Sequence, residues 1–415
     1  MTSQMTTFTE KQFEALEGQP VISTRTAMSL SDLTDRSEGK PVGVIFFDLL
    51  WRIVSLFSLV LALSLVLTAC SSAPSPAPTV DASRTTAIEA EPQRISIMAF
   101  NVENLFDTQD DPGKNDATYL PAAIKSDQAH IAACNLIEVE RWREDCLYLD
   151  WNEQALQFKL QQLAATILAY NDGRGADIIA LQEVENFSVL DRLRREYLSA
   201  AEYHEPVLIE GSDARGIDVA FLTRLPLVDE PELHPLDMSA FPDRAPDTRG
   251  MLEASFELPD GTVMTGFSVH FPAPFHPIKM RRIAYQQLRR VRENVPAGRL
   301  VFAAGDFNTP KREMEDTPIM AEMVRPYWTV VHEVGCDSCK GTNYWSRGAS
   351  WSFLDMILFS PAPASGWTLD VDSVEVVTNY EDQLSDDGTP KRFDLEAREG
   401  VSDHLPIAVS LKRQR

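Results

Sequence analysis

From Arg94 onward, apolar segments of this chain repeatedly stop at a carboxylate, amide or imidazole side chain. RISIMAFNV, for example, ends next to Glu103, and ADIIALQEV runs into Glu183. Short apolar runs of this kind are typical of buried strands, and strand ends on one edge of a sheet meet in space. One such polar residue is typical of an ordinary turn, but the whole set predicts a shared site. The set is Asn101, Glu103, Glu183, His270, Asp306 and Asn308 at strand ends, Asp218 and Asp355 within the segments GIDVAFL and FLDMIL, and Asp403 and His404 at the start of the final strand.

Helical segments separate these strands. Residues 152–170 carry large apolar side chains at alternating spacings of four and three, which predicts an amphipathic helix with Asn152 as its N-cap. SVLDRLRREYL predicts a second helix. Pro277 opens a third, PIKMRRIAYQQLRRVREN, in the first-turn position that proline tolerates. The segment 107–150 is polar and acidic, so we expect an irregular surface excursion there. Strands that alternate with helices predict an α/β domain over residues 94–415.

The N-terminal part of the chain predicts export. Residues 53–69 form an uncharged apolar run after Arg52, shorter than most membrane spans and of the length of a signal-peptide core. Leu67-Thr68-Ala69-Cys70 resembles the lipobox of bacterial lipoproteins, in which the cysteine is lipidated. The alternative is a single membrane anchor. Either way, residues 1–69 are an extension with a signal or membrane segment, and we expect the real start to lie downstream of Met1.

Residues 70–93 begin with a Ser/Pro/Ala-rich tract that has too few large apolar side chains to fold, so they predict a linker. The expected location is the cell envelope, where the lipid holds the domain on a membrane. Ser71 after Cys70 is compatible with sorting to the outer membrane, and the periplasmic and exterior faces both stay open. The oligomeric state also stays open.

Four cysteines remain beside Cys70, an even number that favours disulfides in an oxidising compartment. A bridge between Cys134 and Cys146 would close a short loop and contribute roughly 3 kcal/mol. Cys336 and Cys339 predict either a tight disulfide or half of a zinc site, and we favour the disulfide because no second ligand pair lies nearby.

The charge of the chain excludes one class of protein. It has 38 Lys and Arg against 62 Asp and Glu, a net charge of −24. A protein that coats nucleic acid uses basic side chains to displace counterions from phosphates, so a strongly basic nucleic-acid binder is excluded. An enzyme with a local cationic or metal-bearing site is not.

The segments FNVENLFD, IIALQEVEN, RGIDVAFL, FSVH, AAGDFNTP, SFLDMIL and VSDHLPI resemble, in order, the motifs of the endonuclease/exonuclease/phosphatase superfamily. That superfamily includes pancreatic-type deoxyribonuclease, exonuclease III-like repair nucleases, bacterial neutral sphingomyelinases and inositol polyphosphate 5-phosphatases. The resemblance covers Arg94 to Lys412. It implies a four-layer α/β sandwich, two packed mixed β-sheets flanked by helices. It also implies hydrolysis of phosphoesters with Mg²⁺ or Mn²⁺.

The resemblance assigns one group of residues to the metal. Glu183 matches the principal metal carboxylate, and Asn101 and Glu103 match the polar pair beside the metal on the first strand. Asp403 matches a further acid on the metal side. Carboxylates suit this task because hard divalent cations prefer oxygen ligands.

A second group is assigned to the reaction itself. Asp306 and Asn308 match the pair that orients the attacking water and holds the phosphate. His404 matches the histidine at the scissile phosphate, and Asp355 is its implied orienting carboxylate. His270 matches a second active-site histidine of the deoxyribonuclease and sphingomyelinase branches. We expect its partner to be Asp218.

Two arginines are candidates for phosphate contacts. Arg215 in DARG and Arg249 in DTRG each lie beside a glycine that permits close approach, and the alternative for each is a surface ion pair. Glu185 stands where pancreatic-type deoxyribonuclease has an arginine that contacts DNA, which weighs against double-stranded DNA as the substrate.

These observations favour a metal-dependent phosphodiesterase outside the cytoplasm, acting on nucleic acid or nucleotides. The first alternative is a sphingomyelinase-type phospholipid phosphodiesterase, which the His270 and His404 pair and the segment FPAPFHP favour. The second is a binding module that kept the fold and lost catalysis. A panel of phosphodiester substrates separates the three.

We predict that Cys70 becomes the lipidated N-terminus of the mature protein. Mass spectrometry of the membrane fraction should detect an N-terminal peptide that begins at Cys70 and carries acyl chains. Cys70→Ala should lose this lipid. A chain that retains Met1 without lipid would contradict the prediction.

Overall fold

The strands form two large β-sheets and one two-stranded sheet in the computed structural model, which describes residues 93–360 and 365–413. The strands are β1 (Arg94–Leu105), β2 (Ile178–Val184), β3 (Val207–Leu208), β4 (Asp218–Thr223), β5 (Glu232–His234), β6 (Met251–Glu257), β7 (Val263–His270), β8 (Leu300–Asp306), β9 (Thr329–Val330), β10 (Asn343–Trp345), β11 (Ser350–Ser352), β12 (Asp355–Ser360), β13 (Trp367–Val376) and β14 (Ile407–Arg413).

Within the described residues each of the two large sheets has six strands and one parallel pair at its centre, and β10 and β11 form a separate antiparallel pair. The first sheet has the order β13-β14-β1-β2-β4-β3, with β1 and β2 parallel. The second has the order β5-β6-β7-β8-β12-β9, with β7 and β8 parallel. All other neighbours are antiparallel. The carboxyl ends of each parallel pair therefore lie on the same edge of their sheet, where the polar residues follow.

The described residues also form α-helices. They are α1 (Gln128–Cys134), α2 (Glu140–Tyr148), α3 (Glu153–Leu168), α4 (Phe187–Arg192), α5 (Ile278–Asn294), α6 (Lys311–Asp316) and α7 (Val331–Gly335).

The alternation of side chains along β1 shows how the layers are built. Ile97 packs with Phe302 of the second sheet in the core between the sheets. Phe100 packs on the opposite face with Leu160 of α3. On the outer face of the second sheet, α5 packs through Leu288. The order helix, sheet, sheet, helix confirms the predicted four-layer α/β sandwich of two packed mixed sheets flanked by helices.

The amphipathic helix predicted for residues 152–170 is confirmed as α3. The Asn152 side chain accepts hydrogen bonds from the backbone N–H groups of Gln154 (2.9 Å) and Ala155 (3.1 Å), as an N-cap does. Pro277 precedes α5 as its N-cap, one residue earlier than the predicted first-turn position.

The structure corrects two other predictions about elements. The segment 107–150 is not irregular, because it contains α1 and α2, which the disulfide between Cys134 and Cys146 joins. The final strand starts at Ile407, so Asp403 and His404 lie in the loop before it. Cys336 and Cys339 also form a disulfide, as favoured over the zinc site.

The predictions for residues 53–69 and for Cys70 lie outside the described residues, as does nearly all of the linker 70–93. Among the helices of the described ranges, none combines the length and the apolar character that a membrane span requires.

The Asn152 cap supplies the first test of the fold. Asn152→Ala removes both cap hydrogen bonds, so we expect the free energy of unfolding to fall by about 1 kcal/mol. Asn152→Ser keeps an acceptor without placing a second carboxylate beside Asp150, to which Asn152 Nδ2 donates at 2.8 Å, and it should stay close to the wild type. Urea unfolding followed by circular dichroism measures both. Equal stability of the two variants would show that the cap contributes nothing.

Candidate functional site

The strand register gathers the polar residues at one place. Asp306 ends β8, and it pairs in register with His270 of β7 on one side and Asp355 of β12 on the other. The first sheet contributes Asn101, whose Nδ2 lies 3.4 Å from Glu183 Oε1 and 3.1 Å from Asp306 Oδ2. The ends of both sheets therefore meet at a single site, as the sequence predicts.

The backbone leaves regular strand geometry at this site. Glu103, Asn104, Glu183 and Asn308 all have positive φ, between 49° and 65°. Such values are uncommon for residues with a side chain and cluster at functional sites. The register of β1 against β2 shifts between Asn101 and Leu105. These bends turn the side chains away from their strands.

A polar contact joins the two sheets beside the site. Gln182 of β2 is fully buried, and its Nε2 donates to Ser268 Oγ of β7 at 3.2 Å. The same hydroxyl donates to Leu181 O at 3.3 Å. A Cβ on Gly305 would lie 2.1 Å from Val269 O and 2.9 Å from Gln182 Nε2, so glycine is required there.

His404 and Asp355 form a close polar pair, with 2.6 Å between Nδ1 and Oδ2. Burial by itself lowers the pKa of His404, but the charge and hydrogen bond of Asp355 raise it well above its usual range, with help from Asp306. The imidazole is therefore a cation whose Nδ1 is fixed. Its Nε2 lies 4.0 Å from Asp306 Oδ2 and from Asp403 Oδ1.

Asp306 is held by its neighbour Asn308. The Asn308 backbone N–H donates to Asp306 Oδ1 (2.8 Å), and its Nδ2 donates to Asp306 Oδ2 and to Phe271 O (both 3.1 Å). Burial raises the pKa of Asp306 to about 7, with a smaller opposing effect from His404. A carboxylate of that pKa accepts a proton near neutral pH.

His270 faces two carboxylates. Its Nε2 lies 3.5 Å from Asp306 Oδ2 and 3.9 Å from Glu183 Oε1. Burial lowers the pKa of His270 well below its usual range, and Arg249 adds to this effect, so the imidazole is neutral. Within the described residues, its Nδ1 has no hydrogen-bond partner.

Glu183 fits the role of a metal carboxylate. Burial raises its pKa, but the positive groups around it, led by Arg215, lower it to about 2, so the side chain is ionised. Its Oε2 accepts from Asn104 N at 3.1 Å. Asp403 is one-third exposed nearby, and Asp306, Asp355 and His404 present ligand atoms within 4.8 Å of one another. Oxygen-rich donors of this kind suit Mg²⁺ or Mn²⁺.

The side chains of Asn101 and Glu103, which the resemblance places beside the metal, make hydrogen bonds within the protein. The Asn101 Oδ1 accepts the backbone N–H of Glu103 (3.0 Å), which turns Nδ2 toward the carboxylates. Asn101 therefore bridges Glu183 and Asp306 as a donor. Glu103 instead forms an ion pair with Arg392.

The predicted pairing of His270 with Asp218 is wrong. The Asp218 Oδ1 accepts from the backbone N–H of Gly211 at 2.9 Å, because Asp218 begins β4 on the first sheet. Burial raises the pKa of Asp218 to about 7.

Both candidate arginines lie near Glu183. Arg215 donates to Asn104 Oδ1, and Arg249 forms an ion pair with Asp213 at 3.2 Å. Both lower the pKa of Glu183. The Arg249 pair is buried, so a surface ion pair is excluded for this residue.

Glu185 is also buried, 2% exposed, and it accepts the backbone N–H of Asp107. It therefore occupies the protein interior rather than a surface that DNA could contact. The comparison with the arginine of pancreatic-type deoxyribonuclease carries no information on the substrate.

The sequence analysis missed Arg392 and Lys159. Arg392 lies in a loop without a recognisable pattern. Lys159 is fully buried in α3, where its Nζ donates to Val401 O at 2.7 Å. A signal for Lys159 was present, because a lysine between Leu156 and Leu160 falls on the apolar face of the helix.

Comparison with known proteins gives one family. The model of the Endonuclease/Exonuclease/phosphatase family matches residues 151–404. No curated protein matches the sequence.

Several solved structures have a similar fold. A family protein from Bacteroides thetaiotaomicron is 14% identical, with a TM-score of 0.49 over 78% of this chain and 99% of the other. Humanized D. rerio TDP2 is 16% identical, with a TM-score of 0.46 over 77% and 98%. D. rerio TDP2 complexed with a single strand DNA product is 15% identical, with the same score and coverage. Likeness at this level does not identify a substrate.

Asp218 supplies a pH-dependent test of the site's surroundings. Because burial raises its pKa from 3.8 to about 7, the wild type loses stability as pH rises between these values, and the full loss persists above them. Asp218→Asn keeps the acceptor for Gly211 and removes the charge. At pH 8 it should exceed the wild type by up to about 4 kcal/mol, at about 1.4 kcal/mol per pKa unit.

Below pH 4 this advantage should disappear. Urea unfolding at pH 4, 6 and 8 measures it, with Asp372→Asn on the exposed face of β13 as the matched control. Parallel pH profiles for the wild type and Asp218→Asn would refute the prediction.

Proposed function

Since the chain belongs to the endonuclease/exonuclease/phosphatase family, we propose that it hydrolyses phosphodiester bonds with the help of a divalent cation. Members of this family are generally phosphoesterases. The observation that carries the proposal is the pairing of a cationic His404, fixed by Asp355, with the buried Asp306 and the ionised Glu183 across the same strand ends. An acid, a base and a cation ligand thus face one another.

Glu183 and Asp403 would hold the cation, on the side of the site where carboxylate oxygens are partly exposed. When bound, Mg²⁺ or Mn²⁺ neutralises the charge that develops on the phosphate oxygens. Asn101 keeps Glu183 and Asp306 at a fixed separation by donating to both.

Asp306 would accept the proton of the attacking water. Its pKa near 7 suits this transfer at neutral pH, and the two hydrogen bonds from Asn308 fix the direction of its oxygens. Neutral His270, on the adjacent strand, can share a hydrogen bond with the same water or with a phosphate oxygen.

His404 would donate to the phosphate and supply positive charge there. The hydrogen bond to Asp355 occupies Nδ1, so Nε2 is the nitrogen that points into the site. Arg215 and Arg249 add charge beside Glu183 and would attract the phosphate. Because these arginines surround the site of an otherwise acidic chain, we propose nucleic acid or nucleotides as the substrate.

One observation favours the phospholipid alternative. Phe275 in the loop after His270 is 62% exposed. Arg281 fixes this loop, since its Nη1 donates to the carbonyls of Pro272, Ala273 and His276. A rigid loop that exposes an aromatic side chain beside a site can contact a bilayer.

The location of the protein is also a proposal. The lipobox-like segment at Cys70 and the two disulfides support a lipid-anchored protein of the cell envelope. The membrane would then be a permanent partner of the chain.

A panel of substrates tests the function. Purified protein is incubated with single-stranded DNA, RNA, sphingomyelin vesicles and bis-p-nitrophenyl phosphate, each with Mg²⁺ or Mn²⁺. We expect turnover of the nucleic acids. Exclusive turnover of sphingomyelin, lost in Phe275→Ser, would favour the phospholipid alternative. No turnover of any substrate would favour the binding module.

Glu183 and His404 should fail in different ways. Glu183→Gln removes the charge that holds the cation, so Mn²⁺ affinity and rate should both fall. His404→Ala should keep Mn²⁺ affinity while turnover falls by about 10²- to 10⁴-fold, because a transition-state donor is lost. Asp355→Asn should be milder than His404→Ala. Electron paramagnetic resonance measures bound Mn²⁺, and initial rates measure turnover.

The exposed His204, changed to Ala, is the matched control for folding and rate. The assignment fails if folded His404→Ala protein keeps near-native activity.

A further inference from the structure

Glu103 is surrounded by hydrogen-bond donors. Its Oε1 accepts from Arg392 Nε (2.7 Å) and Nη2 (2.6 Å). Its Oε2 accepts from the backbone N–H groups of Asp403 (2.9 Å) and Phe393 (3.3 Å). A carboxylate has about four acceptor positions, so this side chain has none left for a metal ion.

Arg392 lies between two acids of the site. Besides its contacts with Glu103, its Nη2 lies 3.6 Å from Asp403 Oδ2. The planar guanidinium can contact both carboxylates at once, as a lysine could not in the same geometry. About half of the Arg392 side chain is exposed, whereas Glu103 is 9% exposed.

The contacts of Glu103 and Arg392 reach the loop that carries Asp403 and His404. Asp403 and His404 precede β14, so the regular ladder of that strand does not hold them. They are tied instead to β10, where Asn343 Nδ2 donates to Asp403 O at 3.0 Å, and to β1. Asp403 N donates to Glu103, and His404 N donates to Ser402 Oγ, which donates to Asn101 O. Two alternate positions of β1, Asn101 and Glu103, thus help to fix the backbone of the Asp403–His404 dipeptide.

The loop on the other side of Arg392 is well packed. The Phe393 ring contacts Trp151 (centroids 5.8 Å apart) and Phe158 (5.4 Å). Lys159 Nζ lies 4.6 Å from the centre of the same ring. The guanidinium of Arg392 is therefore presented from a rigid support.

We propose that Glu103 and Arg392 are positioning residues, which hold Asp403 and His404 in place and do not bind the metal. The proposal rests on the proposed function, because it concerns the same site. It replaces the metal role that resemblance implies for Glu103. Small displacements of a catalytic group cost much of the rate, so the pair should control turnover.

The test uses Arg392→Gln and Glu103→Gln, with Arg392→Lys as the conservative variant. Arg398→Gln is the matched control, because Arg398 lies in the same loop with its guanidinium 5.3 Å from the Phe158 ring. Three quantities are measured: Mn²⁺ affinity by electron paramagnetic resonance, kcat and KM with bis-p-nitrophenyl phosphate, and hydrogen exchange of the peptide that covers residues 401–405.

We expect kcat to fall by about 10- to 100-fold in both glutamine variants, with KM within about twofold of the wild type. Mn²⁺ affinity should change equally in the two variants, because both act on the cation only through Asp403. Exchange of residues 401–405 should be about tenfold faster or more, while the melting temperature changes little. Arg392→Lys should recover part of kcat. Arg398→Gln should match the wild type throughout.

A loss of Mn²⁺ affinity in Glu103→Gln that Arg392→Gln does not share would show that Glu103 binds metal itself and would overturn the proposal. Unchanged hydrogen exchange of residues 401–405 in both glutamine variants would overturn the proposal as well. If Glu103→Gln does not fold, Arg392→Gln decides. A wild type without turnover would refute the proposed function, while the exchange and Mn²⁺ measurements would still decide this inference.

Discussion

The hydrogen bond between His404 and Asp355 connects the two sheets where the site lies. His404 precedes β14 of the first sheet, and Asp355 begins β12 of the second. Asn101 makes a second connection, because it donates to Glu183 of its own sheet and to Asp306 of the other. Neither sheet holds a complete set of reacting groups. The chemistry proposed here therefore depends on the packing of the sheets against each other.

Burying so many acids in one place is costly, and the structure offsets that cost separately for each one. The charges around Glu183, led by Arg215, lower its pKa, and Asp355 is paired with a histidine cation. Glu103 has an arginine and two backbone N–H groups. Asp306 lacks a full charge partner and keeps a raised pKa. Burial also raises the pKa of Glu103, but the acceptor positions of Glu103 are filled by donors. Asp306 is therefore the acid of the site that is suited to take a proton.

Much of the fold could be predicted from the sequence, because apolar periodicity reports which faces are buried. It identified α3, α5 and the long strands, and the polar residues at strand ends marked where the site lies. Short helices such as α1 and α2 carry too weak a pattern to be recognised, since isolated short helices depend on tertiary contacts. The partners of Asp218 and Glu103 could not be predicted from the sequence for a different reason. Arg392 is 289 residues from Glu103 along the chain, and spacing in sequence says nothing about such a contact.

The contact of Gln182 with Ser268 and Gly305 has a consequence for the alignment of the sheets. Apolar faces attract without regard to direction, so the core alone would let one sheet slide over the other at little cost. Gln182 enters a space that only a glycine leaves open, and its amide finds one hydroxyl to bond. Gln182 therefore fixes the position of the first sheet relative to the second. The proposed acid, His404, belongs to the first sheet and the proposed base, Asp306, to the second. The two groups therefore have the same relative position in every folded molecule.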